Sequence, residues 1–310
     1  MFDFTVIGAP VIDIVVRWPD MTEKSISTPS EYIGLSTGGD ALNEATVLSR
    51  LGKNVNLMAQ IGSDRAGDFI LSHCRESGIS TEDIVVIDGL DTAVNIVMVD
   101  AMGERRFITN KNGSLRRQSL SDIPLEKLGN SKILSFASIF VSPAFDAEAM
   151  AKLFSSAKQA GCIVCADMTL CKHGETTDYL KEALRFVDYL FPNYAEAQKV
   201  AQKDDINDIA DAFLEAGVGH VIIKTGKRGC FAKTPSKSFE VPAYANARCV
   251  DTTGAGDNFA AGFLYALSEG MSLRECMKFA NAAASIAVES MGATNGVKSA
   301  AQVFERFKKI

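Results

Sequence analysis

A chain of 310 residues is long enough to bury one large α/β core or two ordinary ones. Its net charge of −6, with no block of Lys and Arg, speaks against nucleic acid as a partner. The longest apolar run, 133–145, is interrupted by Ser135, Ser138 and Ser142 and is too short to span a bilayer, so no membrane partner is expected either.

The chain opens on Met1-Phe2-Asp3-Phe4, which lacks the basic start of a secretory leader, and runs into a short apolar strand at 4–7 closed by Gly8. Residues 14–33 have no good helical period. Residues 39–52 read as a helix, with Ala41, Leu42, Ala45 and Leu48 on one face and Gly52 as the stop. A strand at 55–60, a helix at 68–77 and a strand at 84–87 follow. Residues 92–109 alternate as a β-hairpin that turns near 102–103. Further strands are expected at 132–136, 162–166, 189–191, 221–224 and 230–232, and helices at 147–160, 178–186, 194–202, 206–216, 257–268 and 272–290. Strands separated by helices of this length imply crossover connections, hence an α/β fold whose mostly parallel central sheet is covered by helices on both faces.

The two stretches that break the rhythm, about 14–33 and 92–109, suggest a small antiparallel β-sheet outside the main layer of a single 1–310 domain. Closing over a site, such a sheet would act as a lid that excludes water; a decorative hairpin is the plainer alternative. Ile96, Met98 and Val15 are expected on its outer face, and an exposed apolar sheet usually finds a partner, so a lid-to-lid homodimer is predicted. The seven cysteines show no framework spacing and read as reduced thiols of a cytoplasmic protein. Cys162 and Cys165 alternate with apolar residues like members of a buried strand, and His73, His173 and His220 form no metal-binding group.

The most informative run is Asp251-Thr252-Thr253-Gly254-Ala255-Gly256-Asp257-Asn258-Phe259, which opens an apolar helix. Gly254, Ala255 and Gly256 can gather backbone N–H groups at a helix N-terminus, where orphan donors and the helix dipole favour an anion. Asp257 beside that nest makes sense where one group must stabilise negative charge and another take a proton, as in phosphoryl transfer to an alcohol. A glycine-rich helix cap would explain the glycines but not the flanking Asp251, Thr253 and Asp257. Gly38 and Gly39 at a loop-to-helix junction permit close backbone approach, with Asn43 one turn later; an ordinary tight turn explains the pair equally well. Asp13 ends a strand-like segment where ligands of parallel sheets bind, or is a solvated loop residue. Asn193 and Glu196 form either a capping box or a group that orders Mg²⁺-bound water. Lys224-Thr225-Gly226-Lys227-Arg228-Gly229 is a hairpin turn or a loop under a nucleotide.

Together these segments resemble the ribokinase-like (PfkB-type) carbohydrate kinases over essentially the whole chain. The resemblance rests on Gly38-Gly39-Asp40-Ala41-Leu42-Asn43 and on Asp251 through Phe259. It implies Asp257 as the base, Gly254, Ala255 and Gly256 as the anion hole for the γ-phosphoryl group of ATP, and Asp13, Gly38, Gly39 and Asn43 as ligands of sugar hydroxyls. Asn95 and Asn110 are further candidates beneath the lid. Asn193 and Glu196 would handle Mg²⁺ and phosphate, with Lys224, Gly226, Gly229 and Asn281 around the nucleotide. Asp251 and Thr253 match positions that hold a monovalent cation, potassium for instance, in several members. Departures remain: Asp40 follows the glycine pair, either facing substrate or beginning the helix. Asp167-Met168-Thr169-Leu170-Cys171-Lys172 also lacks the Asp-Pro-Asn-x-Arg of fructokinase-like members, a loss of charge that Lys172 would offset unless it is simply solvated. The expected activity is an ATP-dependent sugar kinase, with a nucleoside kinase as the alternative and a non-catalytic sensor as a third reading.

Overall fold

Every residue of the strand Val55–Gly62 is buried, which only a strand covered on both faces achieves. The computed structural model describes residues 1–18, 28–100 and 105–310. In chain order, β1 (Phe2–Ile7), β2 (Val11–Arg17) and β3 (Ile33–Gly38) lead into α1 (Asp40–Arg50). Then come β4 (Val55–Gly62), α2 (Arg65–Glu76), β5 (Ile84–Ile87), β6 (Val94–Val99) and β7 (Arg105–Thr109). The middle of the chain forms β8 (Ser131–Ile139), α3 (Ala147–Gln159), β9 (Ile163–Met168), α4 (Thr177–Leu184), β10 (Tyr189–Leu190), α5 (Tyr194–Ala201) and α6 (Ile206–Glu215). The last third forms β11 (His220–Lys224), β12 (Cys230–Lys233), β13 (Ser238–Val241), α7 (Ala255–Ser268), α8 (Leu273–Ala287) and α9 (Ala300–Phe307).

Among the described residues, the central sheet runs β13-β12-β11-β10-β9-β8-β1-β4-β5. It is parallel from β11 to β5, with β12 antiparallel to both its neighbours. Successive side chains of each strand feed two different cores. Val6, Leu57, Ile133 and Cys165 pack under α1, α2, α7, α8 and α9; Ile7, Met58, Leu134 and Val164 pack under α3 to α6. This is the expected layering. Strand order reverses at β1, where the chain first proceeds outward through β4 and β5 and later returns through β8. Ligands of open parallel sheets bind at the carboxyl ends beside such a reversal. Among the described residues, no helix is long and apolar enough to cross a membrane.

The second sheet has the order β3-β2-β6-β7. It extends further than expected, starting at Val11 and ending its first half at Gly38. It is also not purely antiparallel, because β2 pairs with β6 in parallel. The expected turn at 102–103 lies outside the described residues, as does much of 14–33. Leu35, Ile14, Ile96 and Ile108 stand in one cross-sheet row. Val15 pairs with Val97, one residue out of step, and therefore points to the opposite face from Ile96. The expectation that Val15 shares the outer face with Ile96 is thus corrected by the register.

Candidate active site

A cleft of about 560 Å³ lies between the second sheet and the carboxyl ends of the central strands, and its lining includes Asp13, Gly39, Asn43, Asn95, Gly254, Ala255, Gly256 and Asp257. Residues from positions 13, 39–41, 43, 95 and 254–257 are thus brought together. Each is placed by a strand or helix end. Asp13 sits in β2 and Asn95 opposite it in β6, where the Asn95 amide donates to Asp13 at 2.9 Å. The Thr109 hydroxyl of β7 donates to the Asn95 carbonyl oxygen at 2.7 Å, which fixes the orientation of the amide. Burial, and then the nearby Asp40 charge, raise the Asp13 carboxyl above its ordinary range against the Asn95 hydrogen bond.

The glycine pair has a geometric cause. A Cβ on Gly38 would collide with the Asp13 carboxylate, and one on Gly39 with the Ala9 carbonyl. Gly39 also has φ 90°, in the left-handed region that favours glycine. This close passage brings α1 against the cleft. Asn43, one turn into α1, donates from its side-chain amide to the Asp257 carboxylate at 2.6 Å.

Gly254 precedes α7 with φ 71°, and a Cβ there would lie 2.5 Å from the Ala293 carbonyl oxygen. Among the described residues no side chain caps this helix, so its N-terminal amides face the cleft as an anion-ready nest. One of the three expected donors is partly spent, because the Ala255 N–H closes a turn onto the Thr252 carbonyl at 3.2 Å. Asp257 occupies the first turn. Burial first, and the charge of Asp40 second, hold its carboxyl well above the usual range, against the Asn43 hydrogen bond. Asp40 is itself raised by burial and accepts a hydrogen bond from the Ser138 hydroxyl. The structure thus turns Asp40 toward the cleft, which its sequence position left open.

Lys224, at the carboxyl end of β11, forms an ion pair with Asp167 at the carboxyl end of β9. The other Asp167 oxygen accepts the Met168 N–H at 2.8 Å, so both of its oxygens are engaged. Burial opposes the Lys224 charge, but Asp167 and Glu196 outweigh it and hold the ammonium above its ordinary value. Burial pushes the Asp167 carboxyl up to about 7. The Lys224 nitrogen stands 3.4 Å from where a Gly256 Cβ would lie, at the edge of the nest. Sequence reasoning noted Asp167 only for the motif it fails to match; its place at the end of a parallel strand was the available signal.

Asn193 and Glu196 form a full capping box on α5, with the Glu196 N–H donating to Asn193 at 2.9 Å and the Asn193 N–H to Glu196 at 2.8 Å. The Thr253 N–H and hydroxyl donate to Asp251 at 2.9 and 2.6 Å, and the Gly292 N–H reaches its other oxygen at 2.8 Å. Of the expected site residues, Gly38, Asn193, Glu196, Lys224, Gly226, Gly229, Asp251 and Asn281 do not line the cleft. Gly229 has φ 105° and passes close to the Val241 carbonyl; Asn281 donates to the Val241 and Pro242 carbonyls at 3.0 and 3.1 Å. These contacts tie α8 to the end of β13, beside the β11–β12 turn. Sequence reasoning missed Arg116, Thr109 and Gln118, which line the cleft together with the lid aromatic Phe107 from the second sheet and the loop after it.

The profile of the pfkB family carbohydrate kinases matches residues 1–300. A nucleoside kinase of Methanothermobacter thermautotrophicus is 26% identical over 98% of this chain and 95% of its own length. A ribokinase of Haemophilus influenzae is 26% identical over 97% of each chain. The solved structure of Arabidopsis thaliana ribokinase complexed with ribose and ATP superposes with a TM-score of 0.82, at 25% identity, over 99% of this chain and 99% of that chain.

Proposed function

The chain belongs to the pfkB family of carbohydrate kinases and is a phosphotransferase, and from that premise we propose that it moves the γ-phosphoryl group of ATP to a hydroxyl of a free sugar. The observation that carries this reading is a half-buried carboxylate, Asp257, in the first turn of an uncapped helix, inside the cleft that also holds the Asp13–Asn95 pair. Asp257 accepts the proton of the attacking hydroxyl as its oxygen bonds to the γ-phosphorus. The bond from that phosphorus to the β–γ bridging oxygen breaks, and ADP leaves with the electron pair. Gly254, Ala255 and Gly256 supply backbone dipoles to the transferring group, and Lys224 supplies a full charge. Asp13 and Asn95 hold acceptor hydroxyls, with Gly38 and Gly39 letting the backbone approach and Asn43 holding the base in place.

ATP is the donor in this proposal, and Mg²⁺ its counterion. Glu196 spends one oxygen on its cap, which leaves the second to order metal-bound water, and the metal would neutralise phosphate charge. Gly226, Gly229, Asn193 and Asn281 shape the nucleotide end through the turns and ties they form. We extend the proposal to a monovalent cation beside Asp251 and Thr253, to a cytoplasmic location in keeping with seven free cysteines, and to a homodimer through the second sheet acting as lid. A nucleoside kinase is the second reading. It is favoured by Phe107, an aromatic ring on the cleft-facing side of the lid. ADP release with Mg-ATP across sugars and nucleosides separates the two: turnover on sugars supports the first, turnover on nucleosides alone the second.

A further inference from the structure

Two cationic side chains line the cleft from segments far apart in sequence: Arg116, in the loop that leaves β7, and Lys172, in the loop after β9. They are the positively charged residues among the described lining. An adjoining cavity of about 190 Å³ shares Arg116 with the cleft and adds Lys111. Among the described residues, none of these three side chains enters an ion pair. The acidic group that bears on Lys172 is Glu175, one oxygen of which accepts the backbone N–H groups of Lys172 and His173 at 3.0 and 2.8 Å.

Bringing like charges together costs free energy unless an anion comes between them. Lys172 is exposed as a residue, but partial desolvation of its ammonium, and then the Arg116 charge, hold it below its ordinary range against the charge of Glu175, so the two cations do bear on each other. The acidic residues of the cleft form a separate set. Asp40 is the charge that bears on Asp13, and each of Asp13, Asp40 and Asp257 has its own hydrogen-bond donor, namely Asn95, Ser138 and Asn43. The cleft therefore has a hydroxyl-binding, proton-accepting part and a cationic part. A neutral sugar would use only the first.

Resting on the kinase reading above, we propose that the acceptor is a polyhydroxylated sugar bearing an anionic group, carboxylate or phosphate, away from the hydroxyl to be phosphorylated, and that Arg116 and Lys172 bind that group. A planar guanidinium beside an ammonium suits either anion, one by paired N–H donors and the other by point charge. The substrate must then come from a reaction that oxidises a sugar to its acid or that installs a first phosphate.

The test is kcat/KM for ADP release on matched sets: hexonates and keto-deoxyhexonates, hexose phosphates, and the neutral hexoses and pentoses. It is run on the wild type and on Arg116→Ala, Lys172→Ala and the double variant. The wild type should prefer one anionic class over its neutral parent by about tenfold or more, and each single variant should reduce that preference by about tenfold. Preference for hexonates identifies carboxylate as the group; preference for hexose phosphates identifies phosphate. Both residues are exposed, so the variants should fold, and thermal melting checks that they do. Equal or better turnover of neutral sugars by the wild type overturns the inference and leaves the kinase reading intact. So does an acid preference that survives the double variant. No turnover on any sugar or sugar derivative overturns the sugar-kinase reading itself, and this inference with it.

Discussion

Asp257 and Asp40 illustrate how much of the chemistry rests on single side chains. Two half-buried carboxylates near one another resist simultaneous ionisation, so Asp40 raises Asp257 in addition to the larger effect of desolvation. A base works only when deprotonated. Activity is therefore expected to fall as pH drops through the raised pKa of Asp257, above the usual carboxylate range. Asp40→Asn removes a like charge, which lowers the Asp257 pKa. The acidic limb of the kcat/KM profile should then move to lower pH, and an unmoved or upward-shifted limb would show that Asp40 does not act on the base. Gly254 is tested separately. With φ 71° and Ala293 in the way of a Cβ, Gly254→Ala must displace the start of α7. It should lower kcat by about tenfold or more, as loss of one preorganised donor does elsewhere, with a fall in melting temperature as the structural check. The Asp257 nest was legible because its residues are adjacent in sequence. The Asp167–Lys224 and Arg116–Lys172 pairs were not, since only the return of separate strands to one sheet edge brings those residues together.

At the scale of elements, the second sheet carries the clearest consequence. Ile33, Leu35 and Ile108 are 68%, 57% and 55% exposed on its outer face, Leu35 and Ile108 in the row of Ile14 and Ile96 and Ile33 in the row of Val16 and Met98. Two copies packed face to face would bury the same residues from both sides, as an isologous interface requires. Leu35→Asp together with Ile108→Asp should then convert a dimer to monomer in sedimentation. A wild type that is monomeric at all concentrations would contradict the lid dimer. The sheet itself was legible as a departure from helical rhythm, whereas its register was not, because period alone does not say which alternate set faces inward. Two other elements escaped the sequence reading for different reasons. β13 is an edge strand of only four residues, Ser-Phe-Glu-Val, too short to show a period. In α9 only Val303 is buried, although Phe304 packs on Phe279 at 5.0 Å.

For the molecule as a whole, the central sheet divides the interior into two cores that share no side chain, which the even alternation of helices and apolar strands announced. Phe154 lies in one core and Phe263 in the other, and both are fully buried. Each changed to Ala should cost about 3–5 kcal/mol, by lost burial and the cavity left behind. Distant sites without shared partners add within about 0.5 kcal/mol, so denaturant titration of the double variant should return the sum. A double variant no worse than either single one would mean that the two faces of the sheet do not unfold as one unit. The division also places the cleft: α1 and α7 reach it from one face, while the end of β8 and the loop after β9 line it from the sheet. The site is therefore a product of topology, assembled from segments that begin at residue 8 and end at 257.

The most direct measurement of the central claim is single-turnover phosphoryl transfer by Asp257→Asn, with binding of Mg-ATP and of the acceptor measured in parallel. Asparagine keeps the shape of the side chain and a partner for Asn43 but cannot take a proton. A positioned base is worth about 10²–10⁴-fold, so the rate should fall by that factor while both affinities stay near those of the wild type. A variant that transfers phosphate at close to the wild-type rate would contradict Asp257 as the base.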